Sequence, residues 1–289
     1  MGPAAESHVD RCEAGAVTLT HREITELLGR HGLSPSRALG QNFVSDPNTV
    51  RRIVRLAGVN AGDPVVEIGP GVGSLTTALC EVGAEVTAIE LDRHLLPVLA
   101  EVVEPLGVRV IHGDALEVDW DTLLAPHPSW TLVANLPYNV ATTILLQLLD
   151  DAPAITTMLV MVQREVGERL AAAPGSGAYG IPSVKLALSA TAEVVGRVPA
   201  TVFIPQPRVE SALVRVTRRR EPVINVDQAE LMVLVRTAFG QRRKMLRRSL
   251  AAMVTAEQFE RAGISPEDRP EQLGVGQWGA LTKAVLADR

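Results

Sequence analysis

The chain has 289 residues, 46% of them hydrophobic and 21% charged, with a formal net charge of −5. This is the balance of a globular protein with enough chain for one large or two ordinary domains. No apolar run approaches the roughly 18 residues that a membrane span requires. The charge is unevenly spread. Residues 1–200 hold 13 Lys/Arg against 23 Asp/Glu, a net of −10, whereas residues 201–289 hold 15 against 10, a net of +5. A basic C-terminal part therefore leaves a polyanionic partner open despite the acidic total.

In chain order, residues 1–17 are small and polar, carry Glu6, Asp10 and Glu13, and lack an apolar signal core. They read as a disordered tail on a cytoplasmic protein. Cys12 and Cys80 form neither a metal-ligand spacing nor a disulfide framework, and Cys80, in an apolar helical stretch, reads as a small buried hydrophobe. Thr18 to Gly32 predicts a short helix with Ile24, Leu27 and Leu28 on its apolar side, and a second helix is expected over Pro47–Ala57. From Asp63 strand and helix patterns alternate. Strands are predicted at Pro64–Ile68, Glu85–Glu90, Val108–Ile111, Thr131–Asn135 and Thr157–Gln163, with helices near Leu75–Val82, Arg93–Val103 and Val140–Leu149. Such alternation with short connections implies an α/β fold built on a parallel, doubly wound sheet. Ala171–Ser183 reads as a loop, Ala192–Val198 and Ser211–Thr217 as two further strands, and only helical patterns follow Val226. The expected organisation is a tail over 1–17, a sheet domain over 18–222 and a small all-α domain over 223–289.

The chemistry gathers at strand ends, where open α/β sheets bind ligands. After the first strand, Gly69-Pro70-Gly71-Val72-Gly73 lets the backbone turn tightly and approach a ligand. Its G-x-G-x-G spacing is not the dinucleotide fingerprint. Glu90 ends the second strand, where a carboxylate can accept both hydroxyls of a ribose, and Asp114 follows the third, where it could accept from an adenine amino group. Each acid alone could be a helix N-cap. Two acids with no lysine or arginine in these loops suit a cationic, phosphate-free nucleoside such as S-adenosylmethionine. Asn135-Leu136-Pro137-Tyr138 ends the fourth strand. The Asn135 side-chain carbonyl and the Leu136 backbone carbonyl can accept from an exocyclic amine and free its delocalised lone pair. Pro137 stiffens the turn, and Tyr138 offers a face for stacking. The plainer alternative is a strand-ending turn whose tyrosine packs on its neighbours.

The basic run Arg242-Arg243-Lys244-Met245-Leu246-Arg247-Arg248 reads as a helix with cations on one side and Leu246, Leu250 and Met253 as an apolar stripe. Such a face suits RNA phosphates at Arg242, Arg243, Lys244, Arg247 and Arg248; the alternative is a merely solvated face. None of the six histidines attracts a catalytic role.

With these motifs in order, the chain resembles the rRNA adenine N6-dimethyltransferases. The resemblance rests on Gly40-Gln41-Asn42-Phe43-Val44, Glu67 to Gly73, Glu90, Gly113-Asp114 and Asn135 to Asn139. Phe203 to Ser211 and Phe239 to Leu246 resemble the bacterial small-subunit, KsgA-type branch more narrowly, and the match runs from about Ser36 to Leu286. Leu39 stands where the family usually has phenylalanine, and Val44 where it has leucine. The resemblance implies a Rossmann-like methyltransferase domain with a small helical domain, and transfer of methyl groups from S-adenosylmethionine to two adjacent adenosines in the 3'-terminal hairpin of small-subunit rRNA. It implies that a pre-ribosomal 30S particle is the partner of a monomeric enzyme. It also implies a cofactor site of Asn42, Val44, Glu67, Gly69, Gly71, Glu90, Asp114 and Asn135. Phe203 is expected to face Tyr138 across the flipped base, returning part of the unstacking cost. The alternatives are the macrolide-resistance relative that methylates large-subunit rRNA and a mainly non-catalytic assembly checkpoint.

Overall fold

The computed structural model describes residues 18–36 and 38–288. The N-terminal tail and Cys12 lie outside the described residues. The first helix, α1 (His21–Arg30), starts at a reciprocal cap in which Thr20 Oγ1 accepts the Glu23 N–H and the Glu23 carboxylate accepts the Thr20 N–H. Ile24, Leu27 and Leu28 form its buried side. A two-residue strand, β1 (Phe43–Val44), precedes α2 (Pro47–Ala57), which has Asp46 as N-cap, proline at its first turn and Gly58 at φ +71° as its left-handed stop.

The alternating region then runs β2 (Pro64–Ile68), α3 (Ser74–Glu81), β3 (Glu85–Glu90), α4 (Leu96–Val102), β4 (Arg109–His112), α5 (Trp120–Leu124), β5 (Trp130–Asn135), α6 (Ala141–Asp151) and β6 (Ile155–Gln163). Next come α7 (Arg164–Leu170), α8 (Ile181–Ser189), β7 (Ala190–Val198), β8 (Phe203–Ile204) and β9 (Ser211–Arg218). The expected strands all form, within two residues of their expected ends. Three short helices, α5, α7 and α8, add to those expected, and α8 begins inside the stretch read as loop.

Seven strands make one sheet in the order β4-β3-β2-β5-β6-β9-β7. Pairings from β4 to β6 are parallel, but β9 runs antiparallel to β6, with Gln163 opposite Ser211. The sheet is thus mixed at one side, not wholly parallel. Consecutive residues Val65 and Val66 are both fully buried although they point to opposite faces, so both faces of the sheet are covered. The order reverses between β2 and β5, which opens a crevice at their carboxyl ends. A separate two-stranded ladder joins β1 to β8, with Val44 opposite Phe203.

The described residues divide into two compact units, one within 18–167 with 193–217, the other 168–192 with 218–288. The segment 168–192, which the sequence groups with the sheet domain, clusters with the helical unit. That unit comprises α8 together with α9 (Gln228–Gly240), α10 (Leu246–Ser249), α11 (Ala256–Ala262) and α12 (Val275–Leu286). Its core gathers Tyr179, Leu231, Val235, Leu246, Phe259 and Trp278.

The basic run does not form one continuous helix. Helix α9 ends at Gly240, the Gln241 N–H turns back to the Ala238 carbonyl, and Met245 is extended at ψ 151°. The next two backbone donors leave the helical path: Leu246 N–H goes to Asp268 O and Arg247 N–H to Pro266 O. Arg243 and Arg247 therefore lie on a turn and on a one-turn helix, not on one helix face. The apolar stripe does form, since Leu246 and Leu250 are fully buried. Truncation of Leu246 to alanine should lower the free energy of unfolding by about 2–5 kcal/mol, the range for a buried leucine. Urea denaturation checks this; a loss below about 1 kcal/mol would mean that the turn is not anchored by this side chain.

Candidate active site

The crevice at the switch point is lined from all the strand ends that carry motifs. Gly40 to Val44, Glu67 to Val72, Glu90, Gly113 to Leu116 and Asn135 to Tyr138 all contribute. Local sequence explains the approach. The three glycines after β2 have φ between +62° and +88°, the left-handed region that costs other residues free energy. A Cβ on Gly71 would stand 2.8 Å from the Phe43 ring, so this turn closes against β1 only as glycine.

Two buried carboxylates sit at the floor. Glu90 is held by the backbone: its Oε2 accepts the Gly71 N–H at 3.1 Å and its Oε1 accepts the Asp92 N–H at 2.8 Å. Burial nonetheless raises its pKa above the ordinary range. Glu67 is 1% exposed, and its Oε2 finds no hydrogen-bond partner among the described residues. Burial pushes its pKa up to about 8; the Thr76 hydroxyl opposes the shift and the nearby Glu90 adds to it. Asp114 Oδ1 accepts the Leu116 N–H at 2.9 Å, which fixes the turn after β4.

The Asn135 amide has a defined orientation. Its Nδ2 donates to the Asn42 carbonyl at 2.9 Å, which leaves Oδ1 as the acceptor end. Tyr138 is pinned through its hydroxyl, 2.7 Å from Ser211 Oγ, and burial raises its pKa. Gly40 sits at φ +65°, where a Cβ would stand 3.1 Å from Asn139 Oδ1 and 3.5 Å from Pro137 Cβ. The loop 40–44 and the Asn135 turn are thus in close contact.

All the expected cofactor residues, Asn42, Val44, Glu67, Gly69, Gly71, Glu90, Asp114 and Asn135, line this cleft, as do Leu136, Pro137 and Tyr138. Phe203 does not join them. It is 3% exposed and packs in the same apolar cluster as Val44, Leu75 and Met161. The reason is the β1–β8 ladder, which draws Phe203 opposite Val44, where burying an aromatic ring is favourable. Of the two rings expected to sandwich a base, Tyr138 therefore lines the cleft and Phe203 lies in the core. In the helical unit, Arg243, Lys244, Arg247 and Arg248 are exposed. Arg242 is half-buried, donates to the Gly177 carbonyl at 3.0 Å and lies 3.8 Å from Glu271. Arg247 pairs with Glu267 at 3.5 Å, both side chains being largely in solvent.

The sequence reading gives no role to Leu91, Gln41 or Ser211. Leu91 is a large apolar side chain left 50% exposed while lining the cleft. Its position directly after Glu90 was the only available signal. Gln41 and Ser211 act through partners distant in sequence.

Which ligand suits the cleft follows from its donors and acceptors. No lysine or arginine lines it among the described residues, whereas Glu67, Glu90 and Asp114 do. An unpartnered buried oxygen on Glu67 and an oriented carboxylate at Glu90 suit a cationic nucleoside with free hydroxyls, which S-adenosylmethionine is.

The raised pKa of Glu67 fixes a pH dependence. Between about pH 4.5 and 8 the unfolded chain has lost the proton that the native carboxyl keeps, so stability falls as pH rises through that window. The contribution is complete below about pH 4.5 and gone above about pH 8. Glu67→Gln, a neutral isostere, removes this slope. Its melting temperature should therefore gain on that of the wild type as pH rises from about 5 to 8.5; a pH-independent difference would mean that Glu67 is ionised in the native state.

Comparison with known proteins agrees with this geometry. Residues 33–285 match the family described as Ribosomal RNA adenine dimethylase. The Ribosomal RNA small subunit methyltransferase A of Bifidobacterium adolescentis is 47% identical over 281 residues, covering 91% of this chain and 92% of that protein. Its namesake from Cutibacterium acnes is 47% identical over 283 residues, covering 92% and 94%. A dimethyladenosine transferase from Plasmodium falciparum shares the fold with a TM-score of 0.71 at 22% identity, covering 83% of this chain and 95% of that one. The 23S rRNA methyltransferase ErmE gives 0.64 at 25% identity, covering 86% and 100%. The sheet is therefore the Rossmann-like sheet of methyltransferases, and the chain belongs to the ribosomal RNA adenine dimethylase family.

Proposed function

We propose that this enzyme transfers methyl groups from S-adenosylmethionine to N6 of two adjacent adenosines in the 3'-terminal hairpin of small-subunit (16S) rRNA, giving dimethyladenosines. In this reading it acts in the cytoplasm, as a monomer, on a pre-ribosomal 30S particle. The observation that carries the chemistry is the 2.9 Å bond from Asn135 Nδ2 to the Asn42 carbonyl. It spends the donor end of the amide on the protein and keeps the acceptor end for a substrate amine. The Leu136 carbonyl supplies the second acceptor. Two acceptors on one exocyclic N–H₂ localise the nitrogen lone pair, which then attacks. S-adenosylmethionine supplies the electrophilic methyl carbon, with a neutral thioether as leaving group. Glu90 and Asp114 would hold its ribose and adenine, with Asn42, Val44, Gly69 and Gly71 against the remainder. The methylated aminopurine cation is acidic enough to lose its proton to water, so catalysis rests on positioning and electrostatics and needs no general base.

The small-subunit substrate is favoured over the large-subunit one by identity. The small-subunit methyltransferases cited above are 47% identical, against 25% for ErmE. A purely non-catalytic role is disfavoured by the intact acceptor geometry at Asn135. Mapping of dimethyladenosine in small-subunit rRNA from cells lacking and carrying this chain tests the assignment directly. With the purified protein, Asn135→Ala should reduce methyl transfer by at least about 100-fold, the scale on which one oriented hydrogen-bonding group acts in such sites. Binding of small subunits should survive. Near-normal turnover would show that lone-pair activation does not depend on this side chain.

Phosphate binding is proposed for Arg242, Arg243, Lys244, Arg247 and Arg248, four of which are exposed. Replacing Arg243, Lys244, Arg247 and Arg248 by glutamine should weaken small-subunit binding without changing affinity for S-adenosylmethionine. Each phosphate interaction removed in this way should reduce the slope of log affinity against log salt by roughly 0.7–0.9. An unchanged slope would assign the RNA surface elsewhere.

A further inference from the structure

One side chain in the cleft wall joins two segments that the chemistry treats separately. Gln41 Oε1 accepts the Ser36 N–H at 2.8 Å, while the Gln41 N–H donates to the Ser36 carbonyl at 3.1 Å. These two bonds tie Ser36 to Gln41. The other end of the amide, Nε2, donates to Asp92 Oδ2 at 2.8 Å. Asp92 belongs to the turn after β3. Its N–H donates to Glu90 Oε1 at 2.8 Å, and its Oδ1 accepts the His94 N–H at 3.0 Å. A continuous polar chain therefore runs from Ser36 through Gln41 and Asp92 to Glu90. The residues that follow Gln41, from Asn42 to Val44, line the same cleft as Glu90.

We propose that Gln41 is a positioning residue, whose amide latches Ser36 and the segment 40–44 to the Glu90 turn and so sets how long the methyl donor stays bound. The inference rests on the reading that Glu90 holds the donor. The latch has the features of a device for retention. It is half-buried, and it joins segments 51 residues apart through one neutral donor on one carboxylate. A glutamine is needed because each end of the amide has a different task. A glutamate in its place would keep the Ser36 bond but set a carboxylate against Asp92.

That polarity supplies the test. Gln41→Glu should release S-adenosylmethionine about tenfold faster in a stopped-flow displacement measurement and raise its KM to a similar extent, with a smaller effect on kcat. Asp92→Asn restores a donor opposite the carboxylate introduced at position 41 and keeps a carbonyl for the His94 N–H. The double variant, Gln41→Glu with Asp92→Asn, should therefore return to within about threefold of the wild-type release rate. A merely structural role would lower stability in both singles without that recovery. Unchanged release in Gln41→Glu, or no recovery in the double variant, overturns the latch. Glu90→Ala separates the premise from the proposal, because it should weaken equilibrium binding of S-adenosylmethionine at least about tenfold. If it does not, Glu90 does not hold the donor, and the latch fails with that reading. If it does and Gln41→Glu is silent, only the latch fails.

Discussion

The cleft depends on how two carboxylates are buried on adjacent strands. Glu67 lies in β2 opposite Ala88 of β3, and Glu90 stands two residues further along β3. An ionised carboxylate out of water needs donors. Glu90 receives two backbone N–H groups, from Gly71 and Asp92. Gly71 can offer its N–H because the glycine turn takes a left-handed path that other side chains resist. The Glu90 carboxylate and the tight turn therefore require each other. Glu67 receives no such pair, and burial, with the neighbouring Glu90 adding to it, disfavours its ionisation. At Glu90 the two backbone donors oppose the same effect of burial.

How much of this was legible in the sequence follows from the range of each interaction. Strand ends and glycine turns are local, so β2, β3 and β5 could be read from apolar runs, and Gly69, Glu90, Asp114 and Asn135 from their positions after them. The partners that orient those residues are remote. Asn42 is 93 residues from Asn135, Ser211 is 73 from Tyr138, and Asp92 is 51 from Gln41. Nothing in local pattern pairs them. The same limit explains Phe203. The resemblance suggested a ring facing Tyr138, but its fate is decided by a two-residue ladder to β1, about 160 residues upstream in the chain. The basic run shows the opposite failure. Its periodicity was helical, yet tertiary acceptors on Pro266 and Asp268 took the backbone donors that a continuous helix would have used. Helix α8 was hidden because its first turn carries Pro182 directly after a stretch rich in glycine.

The charge division acquires a physical sense once the two compact units are considered individually. The sheet unit presents acids where a cation is to bind, and a surface built that way repels a polyanion. The helical unit carries Arg243, Lys244 and Arg248 in solvent, while Arg242 is partly spent on Glu271 and the Gly177 carbonyl. Arg247 shares its charge with Glu267, but an ion pair so exposed contributes little and yields readily to a phosphate. In the proposed reading, separating the two tasks lets the cleft stay acidic without forfeiting the RNA.

With Phe203 in the core, the proposed mechanism must stabilise an extrahelical adenine with one aromatic face. Extrusion costs a few kcal/mol, and stacking on one ring returns about 1–3 kcal/mol. Tyr138 can return the upper part of that range only if the ring loses little entropy when the base stacks on it. Its hydroxyl is already tied to the fully buried Ser211, so the ring is fixed before any base arrives. The remaining cost falls on the two carbonyl acceptors. These are likewise set in advance, Asn135 by the Asn42 carbonyl and Leu136 by the bond from its N–H to the Met161 carbonyl. Groups that activate the amine are then also groups that hold the base. A purine without an exocyclic amine would lose both at once, so discrimination against such a base follows from the same two acceptors.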